Sequence, residues 1–341
     1  MNRSRKPLFI SLLVLIVVLV LSACGAANEK ESAAPSASEE ASASPASEAA
    51  STPSADQAEE SNTSSATRIY KDALGREVEI PVQPKRVVAL WTVGEILALG
   101  DKPVGSTANL LRFYSAEDQA NIEIVGEGVA GDYEKVLSLE PDLIIMYELA
   151  TPEELEKFSK IAPTVTTEFF GDPYESLRAV ADIMNKKDQA ERWINDYKVR
   201  VEEARKKTEA LQLQEQTALV IQFALKNVYM YKSDTFPTVF DAYGLKVTDK
   251  QLELESKPDF KNESLSLEIL PEFEADHLFV FINDDESKQV FEDMQKESVW
   301  KNLSAVKKGQ MYEISHRIAI KDVTTLDWAL DEVYALLTKS K

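Results

Sequence analysis

The chain has 341 residues and a formal net charge of −20, from 38 basic and 58 acidic side chains. That length is enough for two globular domains. The acidic balance argues against a nucleic-acid-binding protein, because phosphate contacts require an excess of Lys and Arg. One cysteine excludes a disulfide framework, and two histidines leave little for a zinc site. The composition therefore indicates an acidic, two-lobed protein with a large hydrophobic core.

The amino terminus has the pattern of a lipoprotein signal. Arg3, Arg5 and Lys6 precede an apolar stretch at 8–21, which is short for a membrane span but suits a signal peptide. The stretch ends in Leu-Ser-Ala-Cys, which resembles the lipobox of bacterial lipoproteins. We therefore expect residues 1–23 to be removed and Cys24 to be lipidated, which anchors the mature chain to the membrane. An ordinary signal peptide or anchor helix is the alternative.

Residues 24–66 are predicted to be a disordered tether. From Gly25 to Ala66 the chain contains no Val, Ile, Leu, Met, Phe, Tyr or Trp and consists largely of Ala and Ser, with scattered Glu and Pro. Such a segment cannot bury enough apolar surface to offset the entropy lost on ordering. The folded part is therefore expected to begin near residue 67.

The folded part begins with two alternating segments, 68–71 and 76–80, which predict a small hairpin. Strand and helix patterns then alternate as far as residue 167, which favours a mostly parallel sheet. A second series of strands starts with 218–223. These patterns predict an α/β protein with an N-terminal lobe at 67–171 and a C-terminal lobe at 214–341.

The segment between the two lobes, 172–213, is predicted to be helical. No glycine occurs between Gly171 and Gly244, and apolar residues recur every three to four positions. Asn185 is expected to end a first helix, and Asp188 with Glu191 to cap the start of a second that runs to about residue 211. We predict two Rossmann-like lobes with mostly parallel central sheets, joined by this long helix. A crossover helix within a single sheet is the alternative.

Two segments of the chain, 134–146 and 268–280, repeat the same pattern. Each has a Glu, a second Glu six residues later and an Asp eight residues later, followed by an apolar strand. The shared helix-then-strand context indicates a duplicated unit. Glu134 and Glu268 are therefore expected at equivalent, exposed helix positions on the two lobes.

Several motifs occur in an order that identifies a family. They are Asp-x-x-Gly-Arg at 72–76, Pro-x-x-Pro-x-Arg-Val-Val at 81–88, Glu-Lys-Val-Leu-x-Leu-x-Pro-Asp at 134–142, Ser-Leu-Glu-x-Leu at 266–270 and Trp-Lys-Asn-Leu-Ser-Ala-Val-Lys-Lys-Gly at 300–309. From Ile69 to Leu337 the chain resembles the siderophore-binding lipoproteins of Gram-positive ABC importers. The last half is most similar to the catecholate receptor for ferri-bacillibactin, through 218–221 and 227–231.

The resemblance implies a class III substrate-binding protein that is not an enzyme. Its transported ligand would be a ferric siderophore held between the lobes, with the iron ligated by the chelator and no cofactor or metal ligand from the protein. Its partner would be an ABC permease dimer, docked through Glu134 and Glu268. The mature chain would be a monomer on the extracellular face of the cell membrane, held there by its lipid anchor.

A ferric chelate is expected to contact basic side chains and aromatic walls at the carboxyl ends of the strands. Segments at this edge nominate five ligand-binding residues: Arg112, Trp91, Tyr147, His316 and Arg317. Gln222, within the predicted strand 218–223, is the sixth. Arg112 lies near a ligand lysine position of the catecholate receptor. The alternatives are a surface ion pair for Arg112, a core position for Trp91 and a solvated charge for Arg317.

The chain departs from the catecholate receptor at positions where that receptor has cationic ligand residues. Gln222 and Ala224 stand on the strand that carries arginines in the receptor, and Gly128 is near a second lysine position. Because a tris-catecholate carries three negative charges, a less charged hydroxamate or mixed-carboxylate chelate is favoured. A haem or cobalamin receptor of the same architecture is the alternative. A surface-anchored enzyme is disfavoured, since no nucleophile-elbow, zincin, phosphate-loop or dinucleotide motif occurs.

Overall fold

The computed structural model describes residues 66–169, 171–258 and 260–339. The predicted signal, Cys24 and the tether up to residue 65 lie outside the described residues. In the described ranges, no helix combines the length and the apolar character needed to cross a membrane.

The first half consists of an antiparallel hairpin and a five-stranded sheet in which every pairing is parallel. The order of the strands in this sheet is β5-β4-β3-β6-β7. The hairpin is where the alternating pattern predicted it. The elements are β1 (Thr67–Lys71), β2 (Glu77–Pro81), β3 (Val87–Ala89), α1 (Val93–Ala98), β4 (Gly105–Ser106), α2 (Ala108–Leu111), α3 (Ala116–Gln119), β5 (Glu123–Ile124), α4 (Tyr133–Ser138), β6 (Leu143–Tyr147), α5 (Pro152–Ser159) and β7 (Thr164–Thr167).

Two consecutive helices, α6 (Pro173–Ile183) and α7 (Lys187–Thr208), connect the two sheets. With 22 residues, α7 is about 33 Å long. Its first buried residues, Ala190 and Ile194, belong to the core of the first lobe, whereas its later ones, Tyr197 and Val201, belong to the core of the second. The prediction of a long connecting helix is confirmed, and the alternative of a crossover within one sheet is wrong.

The ends of α7 differ in detail from the prediction. Asn185 adopts the left-handed conformation with φ of 56°, as expected for a residue that ends α6. However, α7 begins at Lys187 with Lys186 as its N-cap, and no side chain caps it. Asp188 lies inside the first turn, so the predicted capping role of Asp188 and Glu191 is wrong.

The second half forms a mixed six-stranded sheet of order β11-β9-β8-β12-β13, with β10 beside the start of β8. Strand β9 is antiparallel to both β8 and β11, while β10, β12 and β13 are in parallel pairings. The elements are β8 (Thr217–Ala224), β9 (Asn227–Tyr231), β10 (Lys246–Val247), α8 (Asp249–Glu255), β11 (Asn262–Leu265), β12 (His277–Ile282), α9 (Asp285–Met294), α10 (Ser298–Asn302), α11 (Ser304–Lys307), β13 (Met311–Glu313) and α12 (Val323–Thr338).

The fold class is therefore an α/β protein with two sheet-based lobes and a long helix between them. The carboxyl-terminal helix α12 also contacts both lobes: Val323 at its start lies in the core of the first, and Leu326 and Leu330 lie in the core of the second. The lobe boundaries at 171 and 213 remain predictions.

The sequence repeat corresponds to a structural repeat. Glu140 and Glu274, at matching positions, are both left-handed, with φ of 44° and 47°. Asp142 accepts hydrogen bonds from backbone N–H groups just before β3, and Asp276 accepts one from the first N–H of β8. Each Asp thus ties the strand that follows it to a parallel neighbour. The second helix of the repeat is 3₁₀ over Leu267–Phe273 and contains Pro271, which has no N–H to donate.

Candidate functional site

A cavity of about 400 Å³ lies between the two lobes. The first lobe contributes the residues after β3, the turn after α2 and Phe169 after β7. The second lobe contributes the end of β9, the start of β11 and the loop 319–322 before α12. Its volume is in the range of sites that bind small ligands. A cavity of about 430 Å³ lies within the second lobe, but the described residues that line it include no Lys or Arg.

One wall of the inter-lobe cavity is aromatic. Trp91 stacks on Phe169 with their ring centroids 4.2 Å apart and an interplanar angle of 21°. Tyr147 packs edge-on against Phe169 at 5.6 Å and against Trp91 at 6.3 Å. Trp91 and Phe169 line the cavity, and the buried Tyr147 supports them from behind. Such a rigid, flat surface suits contact with the apolar arms of a ligand.

Three lysines, Lys232, Lys261 and Lys321, line the cavity from the second lobe and the loop before α12. The Nζ of Lys232 lies 3.8 Å from Asp234. In the part of the chain that the structure describes, neither Lys261 nor Lys321 forms an ion pair. These two ammonium groups are therefore available to the oxygens of an anionic ligand.

Lys321 ends a segment, 315–321, that the sequence placed in the cleft. Sequence reasoning did not select Lys232 and Lys261, because it placed the site at the carboxyl ends of parallel strands. Lys232 follows β9 and Lys261 precedes β11, and β9 is antiparallel to its neighbours. The end of an antiparallel strand lies away from the carboxyl edge. The available signal was a local one: each of these two lysines directly follows an aromatic residue that also lines the cavity, Tyr231 or Phe260.

The floor of the cavity is acidic. Asp322 caps α12: its Oδ1 accepts hydrogen bonds from the Thr325 N–H at 2.7 Å and the Thr324 hydroxyl at 2.8 Å. The Tyr114 hydroxyl donates to Asp322 Oδ2 at 2.5 Å. Glu95 is 5% exposed, and its burial, with the negative charge of Asp322, raises the pKa of Glu95 to about 8. Glu95 is therefore protonated at neutral pH.

Gly94 permits the close approach of α1 to this floor. A Cβ at this position would lie 2.2 Å from Asp322 Oδ2, which is far inside van der Waals contact. Any side chain there would displace Asp322 from the start of α12. The neighbouring Glu95 is thus held close to the acidic cap of a helix that contacts both lobes.

The raised pKa of Glu95 predicts a pH-dependent stability. The unfolded chain releases this proton near pH 4.5, whereas the folded chain retains it to about pH 8. The free energy of unfolding should therefore fall as pH rises between these values, by up to about 1.4 kcal/mol per pH unit, and level off above them. In Glu95→Gln this slope should disappear, as measured by urea unfolding at pH 6, 7 and 8. The exposed control Glu153→Gln should keep it, and equal slopes in all three proteins would contradict the assignment.

Arg112 and His316 lie at a contact between the lobes, outside the cavity wall. The Arg112 guanidinium donates to Asn283 Oδ1 at 3.3 Å, and Asn283 follows β12 of the second lobe. His316 Nε2 lies 3.3 Å from the Arg112 carbonyl oxygen, and its ring packs on Phe113 at 5.4 Å. Arg112 is exposed, and its ligand-binding role stays a prediction.

Arg317 and Gln222 also lie outside the wall and contact residues that form it. The Arg317 guanidinium lies over the rings of Tyr114 at 5.9 Å and Trp328 at 5.4 Å. Gln222 accepts a hydrogen bond from the Tyr231 hydroxyl at 2.5 Å. Among the predicted ligand residues, all of which the structure describes, Trp91 alone lines the cavity.

Glu134 and Glu268 are both exposed and occupy matching positions on the two lobes. Glu134 lies in the first turn of α4, which follows β5, and Glu268 lies in the 3₁₀ helix that follows β11. Both of these strands run in the same direction as the parallel strands of their sheets. The two carboxylates are therefore at the carboxyl edge of each sheet. The backbone N–H of Glu268 and the Ser266 hydroxyl hold the pKa of Glu268 below its usual value.

The described residues contain no group of three or more His, Cys, Asp or Glu side chains arranged to hold a metal ion.

A family model, curated proteins and solved structures all match this chain and agree with one another on its class. A family model described as "Periplasmic binding protein" matches residues 87–317. The chain is 30% identical to "Probable siderophore-binding lipoprotein YfiY" of Bacillus subtilis, over 99% of this chain and 100% of that protein. It is 29% identical to "Iron(3+)-hydroxamate-binding protein FhuD" of the same organism, again over 99% and 100%. The solved structure of the FhuD protein from S. pseudintermedius matches with a TM-score of 0.67 and 25% identity, covering 81% of this chain and 99% of that one.

Proposed function

Because the chain belongs to the periplasmic binding protein family, we propose that it is the substrate-binding lipoprotein of an ABC importer and captures a ferric siderophore between its lobes. The observation that carries this proposal is the inter-lobe cavity, in which the Trp91–Phe169 stack occurs together with Lys261 and Lys321, two lysines that form no ion pair with any described residue. Aromatic surfaces and ammonium groups are what the arms and the oxygens of such a chelate require. The names of the relatives, as siderophore-binding and hydroxamate-binding proteins, support the same ligand class.

The proposed role is binding and delivery without chemistry on the ligand. The chelator supplies every iron ligand, and the protein contributes hydrogen bonds, charge and aromatic contact. A less charged chelate of the hydroxamate or mixed-carboxylate type is favoured, because the cavity combines Lys261 and Lys321 with the acidic residues Glu95 and Asp322. A triply charged tris-catecholate would have to be placed beside those two acids.

The proposed location is the extracellular face of a Gram-positive cell membrane, with Cys24 as the lipidated residue. The relative named as a lipoprotein supports this location, and the Ala- and Ser-rich segment after Cys24 has the composition of a tether. The proposed partner is a permease dimer. This chain would be a monomer and would contact the permease through Glu134 and Glu268. Binding of the ligand would favour a state in which the lobes close around it, and the closed pair of lobes would present both carboxylates to the permease.

Fluorescence quenching of the purified full chain tests the ligand class. Ferric hydroxamate, citrate-type and catecholate chelates, haem and cobalamin are titrated separately, and we expect saturable quenching by a ferric hydroxamate. Trp91→Phe should remove most of this quenching, since Trp91 is the tryptophan in the cavity wall. Trp193→Phe, which alters a tryptophan stacked on Tyr197 in α7, should retain it. Saturable quenching by haem or cobalamin alone would overturn the siderophore assignment.

A further inference from the structure

The inter-lobe cavity has basic residues on one side and acidic residues on another. Lys232 follows β9 and Lys261 precedes β11, whereas Glu95 comes from α1 and Asp322 from the cap of α12. A ligand that carries only negative charge would satisfy the basic side and be repelled by the acidic floor. The cavity is therefore complementary to a ligand that has both an oxygen-rich anionic part and a cationic part.

Within the described residues, the acidic floor is not paired with a basic side chain of the protein. The titratable groups that face Glu95 are Asp322, from the start of α12, and Tyr114, from the turn after α2. Asp322 brings a negative charge, and Tyr114 brings a neutral hydroxyl group. Within the described residues, neither Glu95 nor Asp322 forms an ion pair with a Lys or Arg side chain. Lys321, next to Asp322 in the chain, is likewise not within ion-pair distance of it.

A second polar group in the same wall also has no partner. The Thr92 hydroxyl is buried, with 3% of the residue exposed, and lines the cavity beside Glu95. Its Oγ1 makes no hydrogen bond within the described part of the chain. A buried hydroxyl without a partner is costly, unless a ligand supplies one. Within the described residues, the Thr92 hydroxyl oxygen thus has no hydrogen-bond partner, and the neighbouring Glu95 carboxyl group has no ion-pair partner.

We propose that Glu95, Asp322 and Thr92 form a subsite for a protonated primary amine, so that the preferred ligand is a ferric chelate with a free ammonium group. The inference rests on the proposed function and names the ligand class of the same site. The ammonium would lie between the Glu95 carboxylate and the Thr92 hydroxyl, with Asp322 adding negative charge from the cap of α12. The hydroxamate oxygens would lie on the basic side of the cavity, toward Lys261.

Occupation of this subsite has a consequence for the proton on Glu95. A cation beside a carboxyl group favours its ionised form. Glu95, which holds its proton at neutral pH, would release it to solvent when the ammonium binds. No bond in the ligand changes, and the balance is one proton released for each ammonium-bearing chelate bound.

A matched pair of ligands tests the subsite. The full chain is titrated by calorimetry at pH 7 with a linear ferric trihydroxamate that has a terminal ammonium group, and with the same chelate after acetylation of the amine. We expect the ammonium form to bind at least tenfold more tightly. Repeating the titration in buffers of different ionisation enthalpy should show close to one proton released with the ammonium form and none with the acetylated form.

Variants locate the effect within the cavity. In Glu95→Gln, both chelates should bind with the affinity of the acetylated form, and proton release should be lost. The exposed control Glu153→Gln should behave as the unaltered chain. Binding of the acetylated chelate reports whether the Glu95→Gln variant is folded. If that variant does not fold, the comparison of the two chelates on the unaltered chain decides whether the ammonium subsite exists.

The outcomes separate this inference from the proposed function. Equal affinity of the unaltered chain for the two chelates would overturn the ammonium subsite and leave the capture of ferric hydroxamates intact. A preference for the ammonium form that persists in a folded Glu95→Gln would also overturn it. Failure of the unaltered chain to bind either chelate would overturn the proposed hydroxamate ligand, and the subsite with it.

Discussion

The double variant Lys261→Ala with Lys321→Ala should bind a ferric hydroxamate about 100-fold more weakly than the unaltered chain. Both ammonium groups line the inter-lobe cavity and are unpaired within the described residues. A hydrogen bond to a charged group contributes about 1.5–3 kcal/mol, and each 1.4 kcal/mol changes a dissociation constant tenfold. Because Lys261 is exposed, solvent screening places its contribution at the lower end of that range. Fluorescence titration measures the change.

The matched control for this pair is Lys207→Ala with Lys288→Ala. Both of these lysines are exposed, on α7 and α9, and neither lines the cavity. The control has the same change in net charge, so it corrects for the general attraction of an anionic ligand. If the cavity variant bound as tightly as the control, the lysines would have no place in the ligand site.

The second large effect is expected in transport. Glu134→Ala together with Glu268→Ala should reduce uptake of the radiolabelled ferric chelate by native host cells about tenfold, while the affinity of the purified chain stays unchanged. Exposed ion pairs contribute roughly 0.2–1 kcal/mol each and act chiefly on orientation and association rate. One carboxylate lies on each lobe, at equivalent positions of the structural repeat, so the double variant removes both of the proposed contacts with the permease.

The exposed pair Glu153→Ala with Glu292→Ala is the control, since it also removes one carboxylate from a helix of each lobe. Its uptake should match that of the unaltered chain. Weaker ligand binding by the Glu134 and Glu268 variant would show that these residues act on the ligand site. Normal uptake would remove them from the interface with the permease.

Features set by neighbouring residues were predictable. The hairpin 67–81 follows from alternation on either side of Gly75, and the left-handed Asn185 follows from its place at the end of α6. The buried stripe of α7 has the period of a helix, so the sequence alone indicated which residues enter the cores. The repeat of 134–146 at 268–280 was also visible, and it placed Glu134 and Glu268 at equivalent positions.

The start of α7 and the site itself were less predictable, since the first depends on where α6 ends and the second on residues distant in the chain. Asp188 has the residue type of a cap, but Lys186 holds that position because only three residues separate α6 from α7. Lys232 was missed because β9 reverses direction after a two-residue turn at Leu225 and Lys226, both with positive φ. That reversal moves Lys232 away from the edge where parallel strands end.

The sequence by itself determined the class of protein. Local pattern and composition indicate two α/β lobes, a long helix between them and a lipoprotein-like amino terminus. Only the tertiary structure decided which side chains share the cavity. Glu95 and Asp322 are 227 positions apart, and nothing local to either indicates that they line the same cavity. The physical reason is that a pKa and an ion pair depend on burial and on charges within a few ångströms, and those distances exist only after the lobes have packed.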